Sequence, residues 1–260
     1  ELQPALDPAE TAADTERSSE TSLPVSDDLP NTDIHNFPRG ANAGVCLHEM
    51  LEKFDFAQSA ESQSSLIAET LTCYGFDLLW ADAVKQMLET CRKTRLAAQS
   101  LSEIPPERRL PEMGFTLYTE DFKLHDLHRW FARENSSLPP ECIEAAERLD
   151  FQDVQGFLNG FIDMVCQDSD DLVCIIDYKS NHLGDNAEAY TQQAMNEAVA
   201  DHHYYLQALI YAIAVARYFK LRGKPLPKIA IRYLFLRGLD GTENGVWQWN
   251  LDTESLAQWL

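Results

Sequence analysis

An acid and a lysine end the apolar run Leu172–Ile176, as Asp177 and Lys179 on either side of Tyr178. Successive side chains of a β-strand point to opposite faces, so Asp177 and Lys179 share one face and Tyr178 faces away. A carboxylate and an ammonium group at the end of a buried strand are costly to desolvate. Their presence there indicates that they are used for chemistry.

A second carboxylate, Asp163, lies in the apolar run Gly160–Val165, fourteen residues before Asp177 (177 − 163). The short polar segment Gln167–Asp171 between the two runs is typical of a hairpin turn. Folding of this hairpin is expected to bring Asp163 and Asp177 together, beside Lys179. Two carboxylates and a lysine on neighbouring strands are what metal-dependent hydrolysis of a phosphodiester bond requires.

With these residues the chain resembles the PD-(D/E)XK nucleases, whose core is an acid followed by acid-x-lysine. Within that superfamily it is most similar to the RecB-like nucleases, and in particular to the C-terminal nuclease domains of the RecB family. Ile162 stands where the superfamily name has proline, at a position that varies widely in the superfamily. The matching segments span about residues 37–240: Phe37–Ala41 with Leu47 and His48, Gly160–Asp163, Asp177–Asn181, Gln207 with Tyr211, and Tyr233–Gly238.

The resemblance implies a Mg²⁺ site at which Mn²⁺ substitutes. It makes Asp163 and Asp177 metal ligands, joined by His48 and by the backbone carbonyl of Tyr178. Lys179 would orient the attacking water and offset charge in the transition state, so Asp163, Asp177 and Lys179 are the predicted catalytic residues. By spacing alone, His48 fits an ordinary residue of an amphipathic helix. Since a metal binds the neutral imidazole, activity is expected to fall at acidic pH.

Gln207 and Tyr211 are four residues apart and therefore share one face of a predicted helix. The pattern alone fits the polar edge of an amphipathic helix, whereas the resemblance assigns both to the active-site rim, where they hold DNA or Lys179. Arg39 and Arg237 are candidate phosphate contacts on the same rim. Glu112, at the start of a predicted strand, is left open as a neighbour of the site.

The net charge of −21 argues at first against a nucleic-acid partner, but the charge is unevenly distributed. Residues 1–36 contain nine acidic side chains against Arg17 alone, whereas residues 217–238 contain seven basic side chains and no acid. A local basic field guides a phosphate backbone more than the total charge does. This distribution weakens the objection, and the resemblance implies linear DNA, single- or double-stranded, as the partner, with weak affinity for the isolated domain.

Residues 1–36 have the Glu, Asp, Ser, Thr and Pro content of a disordered acidic linker. An alternative is that this segment mimics DNA and covers the active site. Residues 37–260 are predicted to form the RecB-like nuclease domain. The fold class is mixed α/β (α+β), a PD-(D/E)XK restriction-endonuclease-like core with a central mixed sheet flanked by helices. Helices are predicted at about 41–56, 62–75, 78–99 and 202–222, and strands at 114–118, 157–166, 172–179, 229–236 and 245–250.

The six cysteines form no CxxC pair, and none follows Cys174. We therefore expect buried free thiols of a reducing cytoplasm, and no iron–sulfur cluster of the kind that some RecB-like nucleases hold after their catalytic core. No apolar run approaches the roughly 18 residues that a membrane span needs. His202 and His203 are expected at the surface, near a helix start.

The resulting prediction is a Mg²⁺-dependent deoxyribonuclease domain of exodeoxyribonuclease V type. The resemblance implies cleavage of both strands of unwound linear DNA to 5′-phosphate products, within a RecBCD-type helicase-nuclease of double-strand-break repair and recombination. Its partners would be RecC- and RecD-like subunits. The absence of an NTPase phosphate loop and the first residue, Glu1, suggest a fragment of a longer polypeptide that carries the motor.

Three alternatives remain at this point. The nearest is another RecB-like nuclease, attached to a different helicase or acting alone. A second is a docking module that keeps the nuclease fold without catalysis, although all the expected site residues are present. A third is a metal-dependent phosphomonoesterase that ignores DNA.

Overall fold

A five-stranded mixed sheet forms the centre of the domain. The computed structural model describes residues 32–118, 123–132, 137–150 and 156–260. The strands lie in the order β1-β2-β3-β4-β5, with β3 and β4 parallel and all other neighbours antiparallel. Their bounds are Arg109–Tyr118 (β1), Phe157–Gln167 (β2), Leu172–Lys179 (β3), Lys228–Phe235 (β4) and Val246–Leu251 (β5).

Helices cover both faces of the sheet. Because strand side chains alternate, the central strand β3 supplies Ile175 to the core on one face and Ile176 to the core on the other. Helices α1–α3 pack on the Ile176 face, and α4–α7 pack on the Ile175 face. The predicted mixed α/β fold is confirmed. The helices are Ala41–Lys53 (α1), Ser64–Cys73 (α2), Ala81–Lys93 (α3), Leu124–Phe131 (α4), Pro140–Glu147 (α5), Gln192–Asp201 (α6) and Tyr204–Leu221 (α7).

Most predicted elements occur close to their expected positions, but three helices and the start of β1 were not predicted. Helices α4 and α5 have only eight residues each, too few for a clear 3.6-residue repeat. Strand β1 begins at Arg109 rather than near Gly114. Pro111 and Glu112 conceal this start, because Glu112 has a left-handed backbone with φ of 48° and alternation is not visible across it.

The folded part of the chain begins before residue 37. Residues 1–31 of the predicted linker lie outside the described residues. Ile34–Asn36, however, forms a short 3-10 turn that begins at Asp33, and the carbonyl groups of Ile34 and His35 accept hydrogen bonds from the Arg237 guanidinium. The boundary expected after residue 36 therefore falls inside a structured segment.

Two further predictions concern helices and thiols. Of the described helices, none combines the length and apolar character that crossing a membrane requires. All six cysteines are free thiols, and five are buried; Cys73 is exposed. The expectation of buried free thiols is thus confirmed except at Cys73, which lies in the last turn of α2.

Candidate active site

The two predicted catalytic aspartates stand side by side on β2 and β3. Met164 of β2 pairs with Ile176 of β3, so the next position along the antiparallel pair sets Asp163 opposite Asp177. The backbone N–H of Tyr178 donates to Oδ2 of Asp163 at 2.7 Å. Asp177 is 4% exposed. The hairpin therefore brings the two carboxylates together, as the sequence predicted.

Lys179 joins this pair to helix α7. Its Nζ lies 2.7 Å from Oδ2 of Asp177 and donates to Oε1 of Gln207 at 2.9 Å. The Gln207 Nε2 donates in turn to the Tyr211 hydroxyl at 3.0 Å. The ring of Tyr204 lies 3.6 Å from the ammonium, a cation–π contact. The Lys179 ammonium is thus held by an ion pair, a hydrogen bond and a cation–π contact, which together fix its position.

Helix α1 brings His48 to the same place from the other face of the sheet. The helix begins after Gly40, whose φ of 100° favours glycine, and it buries Leu47 and Leu51 in the core. His48 then points towards β2, with its Nδ1 3.4 Å from Oδ2 of Asp163. An imidazole and a carboxylate from different elements thus adjoin one another.

Glu112 adds a third carboxylate to the cluster. The registers on either side of it place Glu112 opposite Asp163, because Pro111 pairs with Met164 and Met113 with Ile162. Burial, followed by the negative charges of Asp163 and Glu52, raises the pKa of Glu112 to about 7. The sequence had left Glu112 open; its place in the cleft depends on the β1–β2 register, which sequence spacing does not reveal.

The pKa values of the two aspartates are shifted in opposite directions. Burial raises the pKa of Asp177 above its ordinary value, against the opposing effect of Lys179 and with the help of Asp163. Burial would also raise the pKa of Asp163, but His48, the Tyr178 amide and Lys179 outweigh it and the pKa is lowered. Crowded carboxyl groups with raised pKa values are a site that a cation would stabilise.

A cleft of about 660 Å³ contains these groups. Its walls come from α1, the paired strands β1 and β2, the end of β3 and the first turns of α7. His202 and His203, which were expected at the surface, line it too. Tyr204 was missed, although it precedes Gln207 by three residues and so shares its helix face. Six of the predicted site residues line the cleft: His48, Asp163, Asp177, Lys179, Gln207 and Tyr211.

The donor set suits a hard divalent cation without forming a closed site. Carboxylate oxygens and one imidazole are ligands that Mg²⁺ or Mn²⁺ accepts. Among the described residues, no three His, Cys, Asp or Glu side chains already converge as a ligand group. Instead Lys179 holds Asp177, and the Tyr178 amide holds Asp163. Asp163, Asp177 and His48 therefore have the chemistry of ligands for the predicted ion and line one cleft, and their binding of the ion stays a prediction.

Arg237 does not contact phosphate as predicted. It is 1% exposed, and its guanidinium donates to the carbonyl oxygens of Ser180, Phe37 and Pro38 at 2.7–2.9 Å, besides those of Ile34 and His35. The burial that follows from these bonds leaves no surface for DNA. Its function is structural.

Arg39, the other predicted phosphate contact, is placed outside the cleft lining. Its guanidinium is half exposed and bonds His182 Nε2 at 2.7 Å, with Asp185 at 3.5 Å. These partners follow β3, on the loop beyond Lys179. A phosphate contact at Arg39 remains a prediction.

The basic segment 217–238 does not form a path for DNA towards the cleft. Arg232 is buried like Arg237. The others lie at the end of α7, in the loop after it and at the start of β4, whereas the cleft follows α7 only as far as Tyr211. Arg217, the nearest of them along the helix, lies six residues or about 9 Å beyond Tyr211 and donates to the Trp259 carbonyl. The expectation that these side chains guide a phosphate backbone to the site is therefore not supported by their positions.

The whole described domain matches a known family. The model of the PD-(D/E)XK nuclease superfamily matches residues 26–260. RecBCD enzyme subunit RecB of Escherichia coli is 34% identical over 221 residues, which cover 81% of this chain and 18% of that protein.

Two further relatives carry the same name. RecBCD enzyme subunit RecB of Haemophilus influenzae is 26% identical, over 86% of this chain and 18% of its own length. That of Mycobacterium tuberculosis is 29% identical, over 83% of the chain and 23% of its own length. The chain thus spans about a fifth of the relatives it matches. From its sheet, its acid–acid-x-lysine cleft and these matches, the chain belongs to the PD-(D/E)XK nuclease superfamily, as a RecB-like nuclease domain.

Proposed function

We propose that the domain hydrolyses phosphodiester bonds of DNA with the help of Mg²⁺. The observation that carries this proposal is the Lys179 ammonium, fixed between the Asp177 carboxylate and the Gln207 amide, with Asp163 opposite, in an open cleft. A lysine in a purely structural salt bridge does not need an amide and an aromatic ring to orient it. A lysine that contacts both a water and a phosphate must be oriented in this way.

The residues of the site have separate roles in this reaction. Asp163, Asp177, His48 and the Tyr178 carbonyl would hold the ion, which when bound polarises a phosphate oxygen and makes water a better nucleophile. Lys179 orients the attacking water and balances the negative charge that develops on phosphorus. The water oxygen forms the new P–O bond, the bond to the 3′ oxygen breaks, and that oxygen takes up a proton. The product strand then carries a 5′-phosphate.

Gln207 and Tyr211 are positioning residues. Gln207 Oε1 accepts from Lys179, and the Tyr211 hydroxyl accepts from Gln207 Nε2, which fixes the orientation of the amide. Because the amide carbonyl faces Lys179, it holds the ammonium without neutralising its charge. This keeps the positive charge available for the phosphate.

The test is degradation of end-labelled linear single-stranded DNA by this chain. With Mg²⁺ or Mn²⁺, the wild-type chain is expected to cut the labelled strand into shorter fragments, and EDTA is expected to stop this cleavage. Asp177→Asn removes a predicted ligand and is expected to abolish cleavage. Asp171→Asn is the matched control, because Asp171 lies at the opposite end of β3 and pairs with Lys228 at the surface. Cleavage that persists in Asp177→Asn would contradict the assignment.

We also propose that the domain works as the nuclease part of a RecBCD-type complex with RecC- and RecD-like subunits. The support is the name and assembly of the relatives, of which this chain matches about a fifth. The test replaces the matching part of the Escherichia coli relative with this chain and measures degradation of linear double-stranded DNA. Degradation that requires Asp177 supports the proposal, whereas unwinding without degradation contradicts it.

A further inference from the structure

The exposed aromatic side chains of the described residues gather in one place. Eight large hydrophobic side chains are exposed, and the five aliphatic ones are leucines on β1, α7 and loops. The three aromatic ones are Tyr118 (39% exposed), Phe157 (70%) and Phe161 (44%). All three lie on the antiparallel pair of strands β1 and β2. Leu110, the exposed leucine of β1, pairs with Val165 at the other end of these strands, so the end at Tyr118 and Phe157 presents aromatic rings.

These rings form a row that ends at the catalytic aspartate. Phe157 and Phe161 are four residues apart on β2 and so share one face, and Phe161 and Asp163 both line the cleft. Tyr118 pairs with Phe157, and their ring centroids are 5.4 Å apart. Six residues of strand separate Phe157 from Asp163, which is about 20 Å. The row thus extends from Asp163 to the end of the β1–β2 pair at Tyr118 and Phe157.

Glycine makes room for the inner ring. Phe161 pairs with Gly114 across β1 and β2, and a Cβ at Gly114 would lie 3.3 Å from the Phe161 ring. Next to this pair, Asn159 accepts a hydrogen bond from the Thr116 hydroxyl at 2.7 Å. The Phe161 ring therefore lies over the strand and also lines the cleft, while Phe157 continues the row outside it.

The cleft has little attraction for a phosphate backbone. Its lining contains five carboxylates, on Glu49, Glu52, Glu112, Asp163 and Asp177, against two lysines. Each lysine already pairs with one of these acids, Lys53 with Glu49 and Lys179 with Asp177. A bound cation offsets part of this charge only at the scissile phosphate. Affinity for the rest of a strand must therefore come from its bases.

We propose that Phe161, Phe157 and Tyr118 are a stacking track for the bases of single-stranded DNA that enters the active site. The inference rests on the proposed function and specifies its substrate. Bases stack on aromatic rings whatever their sequence, and their faces are accessible only in a single strand. At about 3.4 Å per stacked nucleotide, a 20 Å row spans about six nucleotides, and fewer in an extended strand.

The test is steady-state cleavage of a single-stranded oligonucleotide of about twelve nucleotides by wild-type, Phe157→Ala and Phe161→Ala chains. Loss of one stacking ring is expected to raise KM about 5- to 150-fold. The kcat of Phe157→Ala is expected to stay unchanged, because the Phe157 ring is far from the reacting atoms. Leu221→Ala is the control, since Leu221 is 88% exposed at the far end of α7.

A second substrate series identifies the base as the bound group. An abasic nucleotide is placed at each position in turn. In the wild-type chain, KM is expected to rise when the abasic position faces Phe157, and in Phe157→Ala the same abasic position is expected to add nothing. Phe157→Leu keeps apolar bulk without the flat ring and is expected to resemble Phe157→Ala.

The outcomes separate this proposal from the proposed function. If the wild-type chain cuts no DNA with either metal, the proposed function fails. If it cuts and both phenylalanine variants keep the wild-type KM and melting temperature, the track alone is overturned. If Phe157→Ala cuts faster than wild type, the row holds another part of the chain or a protein partner, and the track is again overturned.

Discussion

Strands β3 and β4 each end near a buried cation, and the two cations have different partners. Lys179 and Arg237 are both 1% exposed. They stand at the same edge of the sheet, since Lys179 pairs with Phe235, two residues before Arg237. Lys179 contacts a carboxylate and an amide at the wall of the cleft. The Arg237 guanidinium donates to backbone carbonyl groups, and these hydrogen bonds tie the segment before α1 to the end of β3.

The difference shows that burial and charge do not identify a functional cation, whereas the partners do. A carboxyl group can exchange its lysine for a metal or a proton, so the contacts of Lys179 can change during a reaction. Backbone carbonyl oxygens do not titrate near neutral pH, so pH does not change the partners of Arg237. These hydrogen bonds join the segment before the helix that carries His48 to the end of the strand that carries Asp177.

The sharpest test of this contrast is Lys179→Ala. We expect cleavage of single-stranded DNA to fall by about 10²- to 10⁴-fold. Stability is expected to change little, because the Asp177 carboxyl that is left behind has a raised pKa and can take up a proton. The measurements are cleavage rate and melting temperature, with Lys228→Ala as the surface control. Full activity in Lys179→Ala would break the comparison.

Arg237→Ala is expected to give the reverse pattern. Buried carbonyl groups that lose their donor cost about 1–3 kcal/mol each, so we expect a loss of about 3 kcal/mol or more in the free energy of unfolding. Arg237→Lys is expected to recover little of it, since one ammonium cannot reach all these oxygens. Urea unfolding measures the loss, with Arg222→Ala, an exposed residue stacked on Tyr218, as the control.

A weakened DNA affinity in Arg237→Ala without any loss of stability would restore the phosphate-contact interpretation. The comparison between the two cations would then no longer hold.

The protonation of the carboxyl cluster gives a pH test. The folded-state pKa values of Asp177 and Glu112 are raised, that of Glu112 to about 7. Their contribution to metal-free stability is therefore fully present below their unfolded pKa values and is lost as pH rises through the folded values. A bound metal displaces these protons, so we expect Mg²⁺ affinity to rise with pH, by about tenfold per unit for each proton released.

The measurement is the Mg²⁺-induced rise in melting temperature between about pH 6 and pH 8. In Glu112→Gln this Mg²⁺-induced rise is expected to depend less steeply on pH. If the rise in melting temperature of the wild-type chain did not depend on pH, metal and protons would not compete for these carboxyl groups.

The smallest expected effect is at Gln207. Gln207→Ala removes the amide that holds Lys179, and the loss of such a supporting partner lowers activity by about 10-fold. The effect is expected in kcat rather than KM, because Lys179 itself remains. Gln193→Ala, an exposed glutamine on α6 that bonds Glu197, is the control. A change confined to KM would assign Gln207 to DNA binding instead.

The sequence was most informative where the chemistry is local. The alternation of Asp177, Tyr178 and Lys179 correctly predicted that Tyr178 faces away from the other two, since its ring is buried against α1–α3. The hairpin between the aspartates was equally predictable, because a short turn forces its strands to pair. Both inferences use only contacts between residues that are close in the chain.

Long-range contacts were not predictable in the same way. A basic residue in a basic segment suggested that Arg237 binds phosphate, and nothing nearby in the chain shows that its partners lie some 200 residues away. The place of Glu112 depends on the register of β1 with β2 and on one unusual φ value. Such placements are set by packing of the whole domain rather than by local preference.

The Arg237 contacts also determine when the nuclease can become functional during synthesis. The guanidinium joins residue 237 to Phe37, a separation of 200 residues, and forming such a contact requires closure of a very long loop. A ribosome makes the N-terminal segment first, so this segment waits for its anchor until β4 has been made. A nascent chain that ends before residue 237 therefore lacks the hydrogen bonds that join the segment before the His48 helix to the end of β3.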